Sequence, residues 1–124
     1  LGLIGSWGGE NGHTLALNGH VDVVPVGDET LWSFDPWRAT VHDGNVYGRG
    51  TLDMKGALCC GLYAVGAIQQ AGLRLRGKVM IQSVIGEEDG GCGTLAAVLR
   101  GPQPDVAIVM EPTELWCHQL RRAR

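Results

Sequence analysis

Four short segments carry side chains that could do chemistry together. His20 and Asp22 stand in Asn18-Gly-His20-Val-Asp22, and Asp53 stands in Gly48-Arg-Gly50-Thr-Leu-Asp53-Met-Lys55. Glu87, Glu88 and Asp89 form an acidic run between glycines, and Glu111 precedes Pro112. Each residue has an ordinary explanation when taken alone. His20 would be a hydrogen-bonded loop histidine whose ring Asp22 orients, and Asp53 would be a helix cap. The acidic run would be a solvated turn, and Glu111 a loop residue. Gathered in one place, they would be something else. Carboxylates a few ångströms apart repel and raise one another's pKa, and a divalent cation removes that repulsion. An imidazole with carboxylates and no thiolate suits Zn, Mn or Co, and two ions about 3.5–4 Å apart would share one carboxylate.

Whether they meet depends on the elements that carry them. Residues 14–17 are an apolar run that reads as a buried strand entering a loop at Asn18-Gly19. Pro25, Gly27 and Asp28 break regular structure, and Asp43-Gly44 between residues 39–41 and 45–47 signals a hairpin. From Met54 to about Ala71 the apolar positions recur every three or four residues, which predicts a helix with Gly72 at C′. Its remaining side chains are small or apolar, so burial on more than one side is expected, with Gly56, Gly61 and Gly66 admitting close neighbours. Residues 78–85 predict a central parallel strand, Cys92–Arg100 a short helix closed by Gly101-Pro102, and residues 105–110 a third apolar strand. Alternating strands and helices predict an α/β fold, a mostly parallel sheet with helices on both faces. Ligands of such sheets bind at the carboxyl ends of the strands, where all four acidic segments would fall. Four independent accidents on one edge are a poorer explanation than one site. No repeat or linker marks a domain boundary inside residues 1–124.

Composition removes other classes. The chain has 124 residues, 44% hydrophobic and 19% charged, so it is neither a disordered tail nor collagen-like despite its 20 glycines. The net charge is −3 even with Arg121, Arg122 and Arg124 at the end, and no basic stripe invites nucleic acid. No apolar run approaches the roughly 20 residues that span a bilayer, so no membrane partner is expected. Residues 1–7 lack the charged start of a signal peptide, and both ends look cut. Cys59 and Cys60 are adjacent, with Cys92 and Cys117 far away, which predicts small buried thiols in a reducing, cytoplasmic setting. A dinucleotide fingerprint, a P-loop, G-x-S-x-G and H-E-x-x-H are all missing.

The segments 18–25, 48–56, 86–91 and 111–113, in that order, resemble the motifs of the M20 metallopeptidases. Trp32-Ser-Phe-Asp35-Pro36-Trp37 is similar to that family's stretch between the first two motifs. The family includes acetylornithine deacetylases, desuccinylases, aminoacylases and carboxypeptidases. The resemblance implies a zinc-peptidase-like catalytic domain and two divalent ions, Zn before Co or Mn. His20 would ligate one ion with Asp22 holding its ring, Asp53 would serve both, Glu88 one and Glu111 the other. Glu87 would be the general base, taking a proton from water and returning it to the leaving amine. The substrate would be an N-acyl amino acid or small peptide. The family's late histidine ligand and its smaller lid or dimerisation domain have no counterpart here, and His118 comes too early for that ligand. The chain therefore reads as the first part of a catalytic domain with little turnover of its own, with a homodimer open to the full-length protein. The alternatives are a non-catalytic metal-binding or dimerisation module, or a plain α/β domain without metal.

Overall fold

The computed structural model describes residues 2–114 and 116. Cys117, His118 and the basic tail lie outside them. Three strands run in parallel register: β2 (Thr14–His20) lies between β5 (Lys78–Val84) and β6 (Val106–Val109). The spatial order is β1-β5-β2-β6, with β1 (Leu3–Gly8) antiparallel on the outside of β5. A separate hairpin, β3 (Thr40–His42) and β4 (Asn45–Tyr47), turns at Asp43 and Gly44 with φ of 47° and 76°. Positive φ at both central residues matches the right-handed twist of a two-residue hairpin, which is why the Asp-Gly pair marks it.

The expected α/β layout holds, with helices on both faces. In β2 and β5 the residues Leu17 and Ile81 are cross-strand partners. They share a face with Gly19, against which α1 (Lys55–Gln70) packs. The alternate residues turn to the other face, where α2 (Cys92–Arg100) lies beside Val84 and Ile85. Ala16, Met54, Leu58, Met80 and Val84 form the buried apolar core.

Several expectations need correcting. β2 does not end at Leu17 but continues through Asn18-Gly19 to His20, because its partner β5 pairs with it as far as Val84. β5 is central, yet only β2 is parallel to it. β1 was not foreseen: its Leu-Ile-Gly-Ser-Trp-Gly sequence has two glycines, little alternation and mostly exposed side chains. α1 buries only Leu58 and Gly61, while Leu62 and Tyr63 are exposed. A helix this apolar has a second face that nothing among the described residues covers. Close packing holds at Gly61, where a Cβ would lie 3.2 Å from the Met110 sulfur, but Gly66 faces open space. Cys59, Cys60 and Cys92 are free and exposed rather than buried.

The end of α1 is a Schellman motif. Gly72 at φ +70° donates to the Gln69 carbonyl at 3.0 Å, and Leu73 donates to Ile68 at 3.3 Å. A Cβ on Gly72 would touch nothing, so the cost of Gly72→Ala is the left-handed backbone alone. That substitution should lower stability by about 1 kcal/mol in urea unfolding. An unchanged midpoint would show that the helix ends otherwise.

Candidate metal centre

His20 is the last residue of β2 and is 1% exposed. It reaches the site because residue 19 is glycine: a Cβ there would lie 2.9 Å from the Met54 methyl and 3.0 Å from Leu58. The start of α1 can thus close down on the strand end. Asp53 sits in the turn just before α1, pinned by Lys55 N–H to the Gly50 carbonyl at 2.9 Å and the Thr51 hydroxyl to the Gly48 carbonyl at 2.8 Å. The helix is capped at Met54 without any side-chain bond, so Asp53 is not its cap. Its carboxylate faces His20 instead. Glu87 and Glu88 occupy the loop after β5. Glu111 follows β6, whose pairing extends to Met110 N–H on the Asn18 carbonyl at 3.0 Å. At its other end β6 is tied in by Asp105, whose carboxylate accepts the Thr14 N–H at 2.7 Å.

Around the His20 Nε2 stand three carboxylate oxygens: Asp53 Oδ1 at 3.1 Å, Glu111 Oε1 at 3.8 Å and Glu87 Oε2 at 3.9 Å. Two overlapping sets of donor atoms lie within 4.8 Å of one another, His20 with Asp53 and Glu88, and His20 with Glu87 and Glu111. All five residues expected as ligands or base are therefore together. Glu87, expected as the base, keeps company with the Glu111 set. Asp89, on the same loop, is exposed and belongs to neither set.

Asp22 lies against the His20 ring with both its carbonyl and the Oδ1 of its carboxylate. The His20 Nδ1 is 2.9 Å from the main-chain carbonyl of Asp22, whereas the Asp22 carboxylate is 3.6 Å away. Its Oδ2 accepts the backbone N–H of Glu88 at 3.1 Å, and Oδ1, the oxygen facing Nδ1, is buried without a hydrogen-bond partner. Burial pushes the Asp22 carboxyl up, but the N–H groups of Glu88 and Glu87 outweigh it and hold it below the usual range.

The electrostatics are those of a site built for a cation. A carbonyl can only accept, so Nδ1 carries a proton. Nε2 then meets three carboxylate oxygens, where only a second proton or a cation is accommodated. Burial lowers the His20 pKa, but the Asp22 carbonyl and the Glu111 and Asp53 carboxylates overcome it and raise the net value. Glu111 is raised too, by its own burial and by the charges of Asp53, Glu87 and Glu88 against the opposing pull of His20. A divalent ion would relieve this crowding, and the imidazole-carboxylate donor set fits one.

The site opens into a cavity of about 440 Å³, lined by the polar His20, Glu87 and Glu111 and by the apolar Leu95, Val98 and Val109. Beneath it, Asn18 donates to Gln82 at 3.1 Å in a buried polar pair. Sequence reasoning passed over this pair. Its signal was Asn18 two residues before His20, hence on the same face of the strand.

A family profile described as Peptidase family M20/M25/M40 matches residues 16–121. The chain belongs to this family. Among curated relatives, the N-formyl-4-amino-5-aminomethyl-2-methylpyrimidine deformylase of Bacillus subtilis (strain 168) is 43% identical over 103 residues, covering 83% of this chain and 24% of that protein. The succinyl-diaminopimelate desuccinylase of Gluconacetobacter diazotrophicus is 40% identical over 111 residues, covering 85% of this chain and 28% of that protein. The M20 segment thus spans about a quarter of these relatives' length. The M20 metallo-carboxypeptidase Sso-CP2 from Sulfolobus solfataricus superposes with a TM-score of 0.78 at 24% identity, over 88% of this chain and 25% of its own. Human carnosine dipeptidase 1 gives a TM-score of 0.73 at 25% identity, over 87% of this chain and 24% of its own. This M20 chain is therefore hydrolase-family sequence on an M20 catalytic-domain fold. Among the described residues no helix is long and apolar enough to cross a membrane.

Proposed function

We propose that this segment is the first part of the catalytic domain of a zinc-dependent amidohydrolase, which cleaves the amide bond of an N-acyl amino acid or small peptide. The observation that carries it is the buried His20 Nε2 facing the carboxylates of Asp53, Glu87 and Glu111 while its Nδ1 is engaged by main chain. Relatives named for removing a formyl group, removing a succinyl group, or cleaving a dipeptide support the bond type. His20, Asp53, Glu88 and Glu111 would hold two divalent ions, Zn first and Co or Mn as substitutes, with Asp53 contributing to both. When bound, such ions lower the pKa of water towards about 7 and polarise an amide carbonyl. Glu87 accepts a proton on its carboxylate and returns it to the departing nitrogen. It is better placed for this than a buried ligand, because it stays partly exposed toward the cavity. A module that bound metal without catalysis would have no use for it.

A further histidine ligand and a lid or dimerisation domain would come from sequence beyond this segment, in a cytoplasmic and homodimeric enzyme. The isolated segment would then turn over little or nothing. Assay of the protein that carries this segment against N-formyl, N-acetyl and N-succinyl amino acids and dipeptides tests the proposal. Hydrolysis that a chelator removes and zinc restores is expected; hydrolysis that survives chelation contradicts it.

A further inference from the structure

We infer that the buried amide pair of Asn18 and Gln82 sets the register of β2 against β5, and thereby positions His20 opposite the Glu87-Glu88 loop. What that placement serves rests on the metal-site reading above. Asn18 and Gln82 are cross-strand partners, and the next pair on their face is His20 with Val84. Both are buried, in a row that otherwise holds Ala16, Met80 and Val84. The Asn18 Nδ2 donates to the Gln82 Oε1 at 3.1 Å, and the Gln82 Nε2 stands 3.5 Å from the Met80 sulfur. A thioether can only accept, so the Gln82 amide keeps its nitrogen on Met80 and its oxygen for Asn18. The pair thus has one orientation. Among the described residues it is the only side-chain hydrogen bond between the two strands.

Apolar patterning cannot set this register. A slip by one residue would turn every side chain to the other face, but a slip by two returns each to its own. Parallel main-chain bonds are evenly spaced, so they too re-form after two residues. Such a slip would set Asn18 against Met80 or Val84, neither of which replaces the Gln82 oxygen, and leave its carboxamide unsatisfied in a buried row. The consequence for the site is large. β6 would move with β2, since Met110 N–H is bonded to the Asn18 carbonyl at 3.0 Å and the Thr14 N–H to Asp105 at 2.7 Å. His20 and Glu111 would shift together by about 7 Å along β5, whose end carries Glu87 and Glu88. The 3.9 Å approach of Glu87 Oε2 to His20 Nε2 would be lost. One amide pair therefore joins the half of the site on β2 and β6 to the half on β5.

The test compares the metal-free chain with Asn18→Leu, Gln82→Met and the two combined, since Leu and Met keep the shapes of Asn and Gln without their amides. Each single change leaves one buried amide unpartnered, and in urea unfolding should raise the unfolding equilibrium constant about tenfold or more. The double variant has no amide left to satisfy and should recover most of that loss. A purely structural role ends there. A positioning role adds that the double variant, though stable, shows a second set of backbone amide signals from β2 and β5, which zinc collapses to one. Its apparent zinc affinity should fall by the fraction of chain left in the native register. In the unaltered chain the Asn18 side-chain N–H should exchange slowly, which decides the pair's existence even where a single variant does not fold. A single set of signals in the double variant, a double variant no more stable than the single ones, or a rapidly exchanging Asn18 side-chain amide would overturn the inference. If the unaltered chain takes up no zinc, the functional proposal fails, and the amide signals of the metal-free variants still decide the register.

Discussion

Replacing Glu87 with Gln is expected to lower kcat/KM of the protein carrying this segment by about 10²- to 10⁴-fold, the usual contribution of a general base. Gln has the shape of Glu and its hydrogen-bonding reach, but it cannot take up a proton. Glu87 is the most exposed of the carboxylates within 4 Å of the His20 Nε2 apart from Asp53, and Asp53 is held in a tight turn before α1. The loop that carries Glu87 is held through the backbone of Glu88, so the exchange to Gln disturbs no anchoring bond. Metal content should therefore stay within a few-fold of the parent while turnover collapses. Retained turnover with unchanged metal would remove Glu87 from the mechanism. Loss of both together would instead make Glu87 a ligand, in keeping with its place in the donor set of His20 and Glu111.

Replacing Asp53 with Ala should have the largest effect on metal binding. Removing even an outer partner of a metal ligand typically costs 10- to 100-fold in affinity, so loss of a carboxylate proposed here as a ligand of both ions should exceed about 100-fold. The metal-free fold should change far less. Asp53 makes no capping bond to α1, and its charge is one of those raising the Glu111 pKa, while its Oδ1 lies 3.1 Å from the His20 Nε2. Its removal relieves one repulsion and gives up one contact. Asp53→Ala should thus melt close to the parent temperature without metal, and lose the stabilisation that metal gives the parent. A variant that melts far below the metal-free parent would show that Asp53 is a structural residue of the turn.

These predictions show which parts of the site could be read before the fold was known. The parallel strands and their carboxyl ends were legible because residues 78–85 and 105–110 are apolar runs ending at acidic residues, and that rule of α/β sheets placed His20, Asp53, Glu87, Glu88 and Glu111 together. β1 was not legible, since a mostly exposed edge strand with two glycines carries no alternation. The free face of α1 was not legible either. An apolar helix announces that both sides want cover, but its own sequence cannot say what supplies it. Asp22 was read as the partner of the His20 ring from its spacing alone. Spacing cannot separate a residue's carbonyl from its carboxylate, and here the carbonyl and Oδ1 lie against the ring while Oδ2 accepts the Glu88 N–H.

The most direct measurement is a calorimetric titration of this chain with zinc, repeated with His20→Ala and Asp53→Ala. The account predicts saturable uptake by the parent and a stabilisation of about 2.7 kcal/mol at a hundredfold excess over Kd, with both effects lost in either variant. No uptake, or uptake that survives both substitutions, would contradict it: the clustered carboxylates around His20 would then be an acidic surface and not a metal centre.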